Sequence, residues 1–159
     1  MQNRFADVLR LLVERQVDFM VVGGVAAVLH GAPVSTFDLD VLYSSVEENL
    51  PRLADALDRL DALYRDPAGR RIRPDVERLA SGGHHLLMTS AGPLDVLGNL
   101  GEGWTYETLL PRSGEMQVGD FEVRVLGLAA LVEAKELAGR DKDLAMLPVL
   151  RETLRLLDE

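Results

Sequence analysis

The chain reads as one α/β domain, a mixed β-sheet flanked by helices with further helices at its C-terminal end. Three observations carry that reading. Short apolar runs suited to buried strands, at residues 19–22, 39–43 and 94–97, are separated by stretches of helical periodicity. The resulting order, α-β-α-β-α-β-β followed by a hairpin and terminal helices, suits a mixed sheet. No linker, internal repeat or low-complexity stretch divides residues 1–159, and that length supports one sizeable core.

The elements follow in order. Phe5, Val8, Leu9 and Leu12 recur at helical spacing, which predicts an amphipathic helix over about residues 3–15. The strand at residues 19–22 runs into Gly23-Gly24. Residues 26–30 suit a helix stopped by Gly31, with Pro33 just beyond and His30 bonded to a carbonyl near the helix end. Residues 39–43 form the second strand. Ser45 and Glu48 have capping-box spacing and open a helix with a buried stripe of Val46, Leu50, Leu53, Leu57, Leu60 and Tyr64. Glu47, Arg52, Asp55, Arg59 and Asp61 face water. Residues 66–83, polar and rich in Arg, Gly and Pro, read as a loop with at most weak structure.

Strands at residues 86–89 and 94–97 are joined at Ala91-Gly92-Pro93, with His84-His85 opening the first of them. A glycine-rich stretch (Gly98, Gly101, Gly103) precedes a short helix at residues 106–109. Trp104 and Tyr106 there suit either base stacking or rim packing, the commoner fate of such aromatics. Residues 116–118 and 121–125 flank Gly119-Asp120 as a hairpin. Leu128, Leu131 and Val132 mark a further helix interrupted by Gly139. Leu144, Leu147, Leu150, Leu154 and Leu157 carry the last one, in which Pro148 starts a new helix or kinks the existing one.

Charge and composition exclude some classes of function. With 17 basic against 26 acidic residues the net charge is −9, which opposes broad non-specific binding of nucleic acid. Local docking stays open, and Arg65, Arg70, Arg71 and Arg73 form the densest basic cluster, either a solvated loop or an acceptor-docking surface. The absence of cysteine excludes disulfides and thiolate metal sites and fits the reducing cytoplasm. No apolar run reaches the length of a membrane span, and the N-terminal residues lack a signal peptide's apolar core. The expectation is a cytoplasmic protein with no membrane partner.

The chemistry gathers on the second strand. Side chains alternate along a strand, so Asp38 and Asp40 share one face while Leu39 and Val41 point to the core. Two adjacent carboxylates repel unless a cation lies between them. Their hard oxygens suit Mg²⁺ or Mn²⁺, which bind through a few carboxylates together with substrate phosphates. Such ions would bridge a triphosphate and activate an attacking hydroxyl. Asp95, on a neighbouring strand, would complete the site. Gly23-Gly24 at a strand-to-helix turn leaves backbone N–H groups open to phosphate, and Ser35 and Thr36 would add hydroxyl donors. Each feature alone is weak; the combination is specific. Lys135 is either a phosphate ligand or a solvated helix residue, and Lys142 and Asp143 either cap the last helix or join the site.

Gly23-Gly24, Thr36-Phe37-Asp38-Leu39-Asp40 and Leu94-Asp95-Val96 resemble the DNA polymerase β-like nucleotidyltransferase superfamily. The segment from Lys135 to Leu144 is similar to that of small bacterial members, among them AbiEii-type toxins of toxin–antitoxin systems. The likeness spans roughly residues 18–150. It implies a nucleotidyltransferase-like sheet and metal-dependent transfer of a nucleoside monophosphate from an NTP to a hydroxyl on tRNA, protein or a small molecule. On that likeness Asp38 and Asp40 hold the metals, and Asp95 is third ligand or general base. Gly23 and Gly24 contact the phosphates, Lys135 or Lys142 meets the triphosphate, and Asp143 braces that lysine or assists catalysis. A toxin would bring an antitoxin partner. Two positions depart from the pattern: Val34 stands where many relatives have arginine, and Met146 where many have an acidic residue. They motivate an alternative, a catalytically weak or inactive nucleotide-binding or interaction domain on the same fold.

Overall fold

The computed structural model describes residues 4–158 and begins with α1 (Phe5–Glu14), which buries Val8, Leu9 and Leu12 as its periodicity predicts. The fully buried β1 (Phe19–Val22) runs directly into α2 (Gly23–Leu29), followed by β2 (Leu39–Tyr43) and α3 (Asn49–Arg59). A short β3 (Leu63–Tyr64), α4 (Val76–Ala80), β4 (His84–Thr89) and β5 (Gly92–Leu97) come next. After α5 (Tyr106–Leu109), the hairpin of β6 (Ser113–Val118) and β7 (Phe121–Leu126) leads to α6 (Leu128–Ala138) and α7 (Asp141–Leu157).

All seven strands join one mixed sheet in the order β3-β4-β5-β2-β1-β7-β6. The central pair, β2 and β5, is parallel, and β1 runs antiparallel to β2 but parallel to β7. Leu39, Val41, Leu94 and Val96 on these two strands are fully buried, which anchors both strands to the core through one face. In-register partners share a face, so Asp40 opposite Asp95 puts both carboxylates on the other face. Helix α2 packs on β1, β2 and α6 and so brings α6 to the acid-bearing part of the sheet. Among the described residues no helix is long and apolar enough to cross a membrane.

Several local expectations change. The Ser45–Glu48 capping box does not form: α3 starts at Asn49, and Glu48 caps it without a side-chain bond. Asn49 is wholly buried; its amide donates to Ser44 O (2.7 Å) and Asp18 O (3.0 Å) and accepts from Asp18 N (2.7 Å). A satisfied buried amide thus sets the helix start in place of an exposed serine. Val46 is exposed, and Tyr64 belongs to β3, not the helix. Residues 66–83 contain α4, capped by the Asp75 carboxylate accepting from Arg78 N (2.8 Å) and seated by buried Leu79. One buried leucine creates no periodicity, which is why the helix is invisible in sequence. Helix α7 continues through Pro148; Leu147 and Leu150 are buried, whereas Leu144 and Leu157 are exposed. His30 Nε2 lies 2.8 Å from Leu126 O, as expected of a histidine satisfied by a carbonyl.

Candidate active site

The site begins where β1 becomes α2. Gly23 is the first helical residue and has φ +66°, a conformation that disfavours any side chain. A Cβ there would also lie 2.3 Å from Asp40 Oδ2, and one at Gly24 would lie 2.7 Å from Thr36 Oγ1. The glycine pair therefore lets two β2-side residues press against the start of α2. Thr36 Oγ1 donates to Asp38 O (3.0 Å), a local turn that sets the hydroxyl beside the acidic pair.

Asp40 is mostly buried, and its Oδ1 has no hydrogen-bond partner. Burial, followed by the charges of Asp95 and Asp38, pushes its carboxyl up to about 7, while Lys135 pulls the other way. Asp95 is also raised, by burial against the pull of Arg65. Arg65, just beyond β3, donates through Nη2 to Asp95 Oδ1, and its Nη1 lies 3.9 Å from Asp38 Oδ2. The three acids thus converge as expected, with an arginine among them.

Positive charge also arrives from the C-terminal helices. Gly139 ends α6 in the left-handed conformation (φ +63°), and α7 starts two residues later. That turn brings Lys135 Nζ to 3.1 Å from Asp143 Oδ1 and Arg140 Nε to 2.7 Å from Asp143 Oδ2. Burial alone would raise Asp143, but its bonds from Arg140 and Lys135 outweigh it and hold the carboxyl below its ordinary value. Asp143, with no exposed surface, fixes the direction of Lys135.

Two cavities meet at Asp40 and Lys135. One, of about 370 Å³, is bordered by Gly24, Ser35, Thr36, Asp38 and Lys142. The other, of about 190 Å³, is more apolar and is bordered by Gly23, His84, Leu97, Leu100 and Leu131, with Arg140 and Asp143 at its polar end. Of the residues expected to bind metal or nucleotide or to act in catalysis, all except Asp95 border one of them; Asp95 sits next to Asp40 but turns to Arg65.

No protein-family model and no curated protein sequence matches the chain. Its fold, however, matches solved structures along almost its whole length. A candidate nucleotidyltransferase, TM1012 from Thermotoga maritima, superposes with a TM-score of 0.59 at 17% identity, covering 95% of this chain and 90% of that one. The antibiotic-resistance factor ANT(2″)-Ia, in complex with adenylyl-2″-tobramycin, gives 0.62 at 13% identity, covering 94% and 87%. The lincosamide antibiotic adenylyltransferase LnuA, with lincomycin bound, gives 0.61 at 12% identity, covering 96% and 98%. The chain has the nucleotidyltransferase fold.

Within the nucleotidyltransferase fold, a divalent ion is tested by the donors present. Among the described residues no three His, Cys, Asp or Glu side chains are arranged to hold a metal ion by themselves. Asp38 and Asp40 do fit one in the manner of Mg²⁺, which takes one or two carboxylates and completes its shell with phosphate and water. The buried, unpartnered Asp40 Oδ1 is an oxygen in want of a cation. Asp95 is already engaged by Arg65, which weakens its claim as a third ligand.

Three site residues escaped the sequence reading. Arg65 was grouped with a basic cluster whose other members behave as solvated residues, Arg70 pairing with Asp66 and Arg73 with Asp58. The available signal was its place directly after the apolar pair Leu63-Tyr64. The likeness over Lys135 to Leu144 includes Arg140 but gives it no role of its own, and the sequence places His84 only at the start of a strand. Trp104 packs against the core rim with Arg112 over its ring (5.8 Å), the commoner of its two fates. Met146 borders the larger cavity, and Val34 packs on the core.

Proposed function

We propose that this protein is a nucleotidyltransferase that moves a nucleoside monophosphate from an NTP to a hydroxyl of a small-molecule acceptor, with Mg²⁺ or Mn²⁺. One observation carries the reading: Asp40, with an unpartnered buried oxygen, stands beside Asp38 where two cavities meet a lysine braced by a buried aspartate. Structural metal-free ion pairs satisfy their oxygens; a site awaiting a ligand leaves one open.

Asp38 and Asp40 would hold the ion, which would supply positive charge against the negative charge that develops on the phosphate during transfer. Ser35, Thr36 and Lys142 border the larger cavity and would take the phosphates, with Lys135 meeting them from the shared edge. Gly23 and Gly24 keep that edge free of side chains. Asp95, in register with Asp40 and turned to Arg65, would act as the base for an acceptor hydroxyl brought beside Asp40, accepting its proton as that oxygen bonds to the α-phosphorus. The bond from the α-phosphorus to the bridging oxygen breaks, its electron pair stays on that oxygen, and pyrophosphate leaves with its negative charge neutralised by Lys135 and Lys142. Preorganised positive charge of this kind lowers barriers without reorganisation at the moment of reaction.

A small-molecule acceptor is favoured by the neighbours of known ligand, which carry tobramycin and lincomycin derivatives or ligands. The chain covers 87% of the tobramycin-complex chain and 98% of the lincomycin-bound one. The alternatives carried from sequence are transfer to tRNA or protein, and action as a toxin with an antitoxin partner.

A second reading, a nucleotide-binding domain without turnover, is favoured by Met146 in the larger cavity, an apolar group where the phosphates would lie. Labelled ATP, CTP, GTP and UTP, offered with a panel of aminoglycosides and lincosamides and with cell extract, test the first. Label should move to an acceptor and stop doing so in Asp38→Ala and Asp40→Ala. Transfer undiminished in those variants refutes the roles, and calorimetric NTP binding with no transfer supports the second reading.

A further inference from the structure

We propose that Arg65 is the built-in second cation of this site, so that the acid cluster takes one divalent ion, on Asp38 and Asp40, and uses the guanidinium where another ion would sit. The proposal rests on the reading of Asp38 and Asp40 as metal ligands.

Three neighbouring carboxylates need positive charge close by. Lys135 acts on Asp40, and the source of positive charge at the two outer acids is Arg65. Arg65 follows β3 directly, and its backbone N–H donates to Leu86 O (3.0 Å), which pins it beside β4. Leu86 pairs in register with Asp95, and Asp95 with Asp40, so the arginine starts one strand away from the acidic row. Its side chain then reaches the two outer acids, donating to Asp95 Oδ1 and approaching Asp38 Oδ2 to 3.9 Å. The planar guanidinium fork matches the geometry of carboxylate oxygens. It lies between Asp95 and Asp38, where an ion bridging those two carboxylates would have to go. A guanidinium and a divalent cation cannot share that space, through both bulk and like charge.

Arg65 leaves Asp40 alone. The buried Oδ1 of Asp40 stays unpartnered, and the larger cavity opens on Asp38 and Asp40 but not on Asp95. One position in the cluster is therefore open to a cation from solution and the other is filled by the chain. The same arrangement accounts for the lack of any three acids set to hold a metal among the described residues. It assigns Asp95 to the base role alone, since an arginine cannot coordinate and acidify a hydroxyl as an ion does. Arg65 is then a positioning residue that keeps the Asp95 carboxylate aimed.

Electron paramagnetic resonance of Mn²⁺, titrated into the protein with a non-hydrolysable ATP analogue, tests this without turnover. Two ions at the about 4 Å spacing of two-metal sites couple magnetically, whereas a lone ion does not. The wild type should bind one protein-held Mn²⁺ with an uncoupled spectrum up to saturation. Arg65→Met should bind a second and show the coupled spectrum, and Arg65→Lys should keep the single ion. If Arg65→Met fails to fold, Arg65→Gln, of similar bulk and still polar, takes its place. A coupled pair in the wild type, or one ion only in every variant, overturns the role of Arg65 while leaving the transferase reading intact. No bound Mn²⁺ in any variant removes the metal reading itself, and both fall together.

Discussion

Replacing Asp40 by Asn in the metal-free protein isolates the electrostatic strain of the site. The folded chain keeps the Asp40 proton up to about 7, against an ordinary value of 3.8 for an unperturbed aspartate. Between those values folding takes up a proton, so stability is greatest at the acid end and falls as pH rises through the window. At about 1.36 kcal/mol per pH unit the full loss is of order 4 kcal/mol, an upper bound because Asp95 shares the titration. Asn carries no charge and fits the same space, so its stability has no such slope. Urea unfolding in EDTA should show the advantage of Asp40→Asn over wild type widening by up to roughly 3 kcal/mol from about pH 5 to about pH 8. Parallel stability curves for the two proteins would refute the reasoning. Adding Mg²⁺ at the higher pH should raise the melting temperature of wild type by mass action and that of Asp40→Asn much less. Equal gains would place the ion elsewhere on a chain of net charge −9.

Three further outcomes test the parts separately. Lys135→Met should raise the KM for NTP and destabilise the fold by about 1–3 kcal/mol, since buried Asp143 keeps Arg140 but loses its second cation; steady-state kinetics and urea unfolding read the two effects. Gly23→Ala combines a left-handed backbone with a Cβ 2.3 Å from Asp40 Oδ2, so unfolding measurements should show a loss of about 1–3 kcal/mol, with Mg²⁺ affinity falling in calorimetry. Asn49→Ala strips the partners from Asp18 and Ser44 at the start of α3 and should destabilise by about 2–3 kcal/mol in urea, with the metal response of the melting temperature unchanged.

Much of the site was legible because it is written in short range. Asp38 and Asp40 share a face by the two-residue period of a strand, and β2 obeys it. The glycines at residues 23 and 24 stand at the strand-to-helix turn, although the helix begins on them, not after them. The structure adds a reason for them that sequence does not contain, the approach of Asp40 and Thr36. Lys135 and Asp143, eight residues apart across a glycine, meet only because Gly139 turns α6 back onto α7.

What the sequence by itself determined is the alternation of elements, the acidic face of β2 and the presence of a third strand-borne acid, since periodicity follows from the covalent geometry of helix and strand. Capping at Ser45 and the burial of Val46 failed, and the 66–83 loop of at most weak structure gained a short helix, because buried partners far along the chain, Asp18 for Asn49 and the core around Leu79, decided them. Only the tertiary structure decided that Asp40 stands opposite Asp95, that one Asp40 oxygen stays without a partner, and that Arg65 lies among the acids. Those facts depend on the register of β3, β4, β5 and β2. Register is chosen by the whole core packing at once, and no local stretch of residues encodes it.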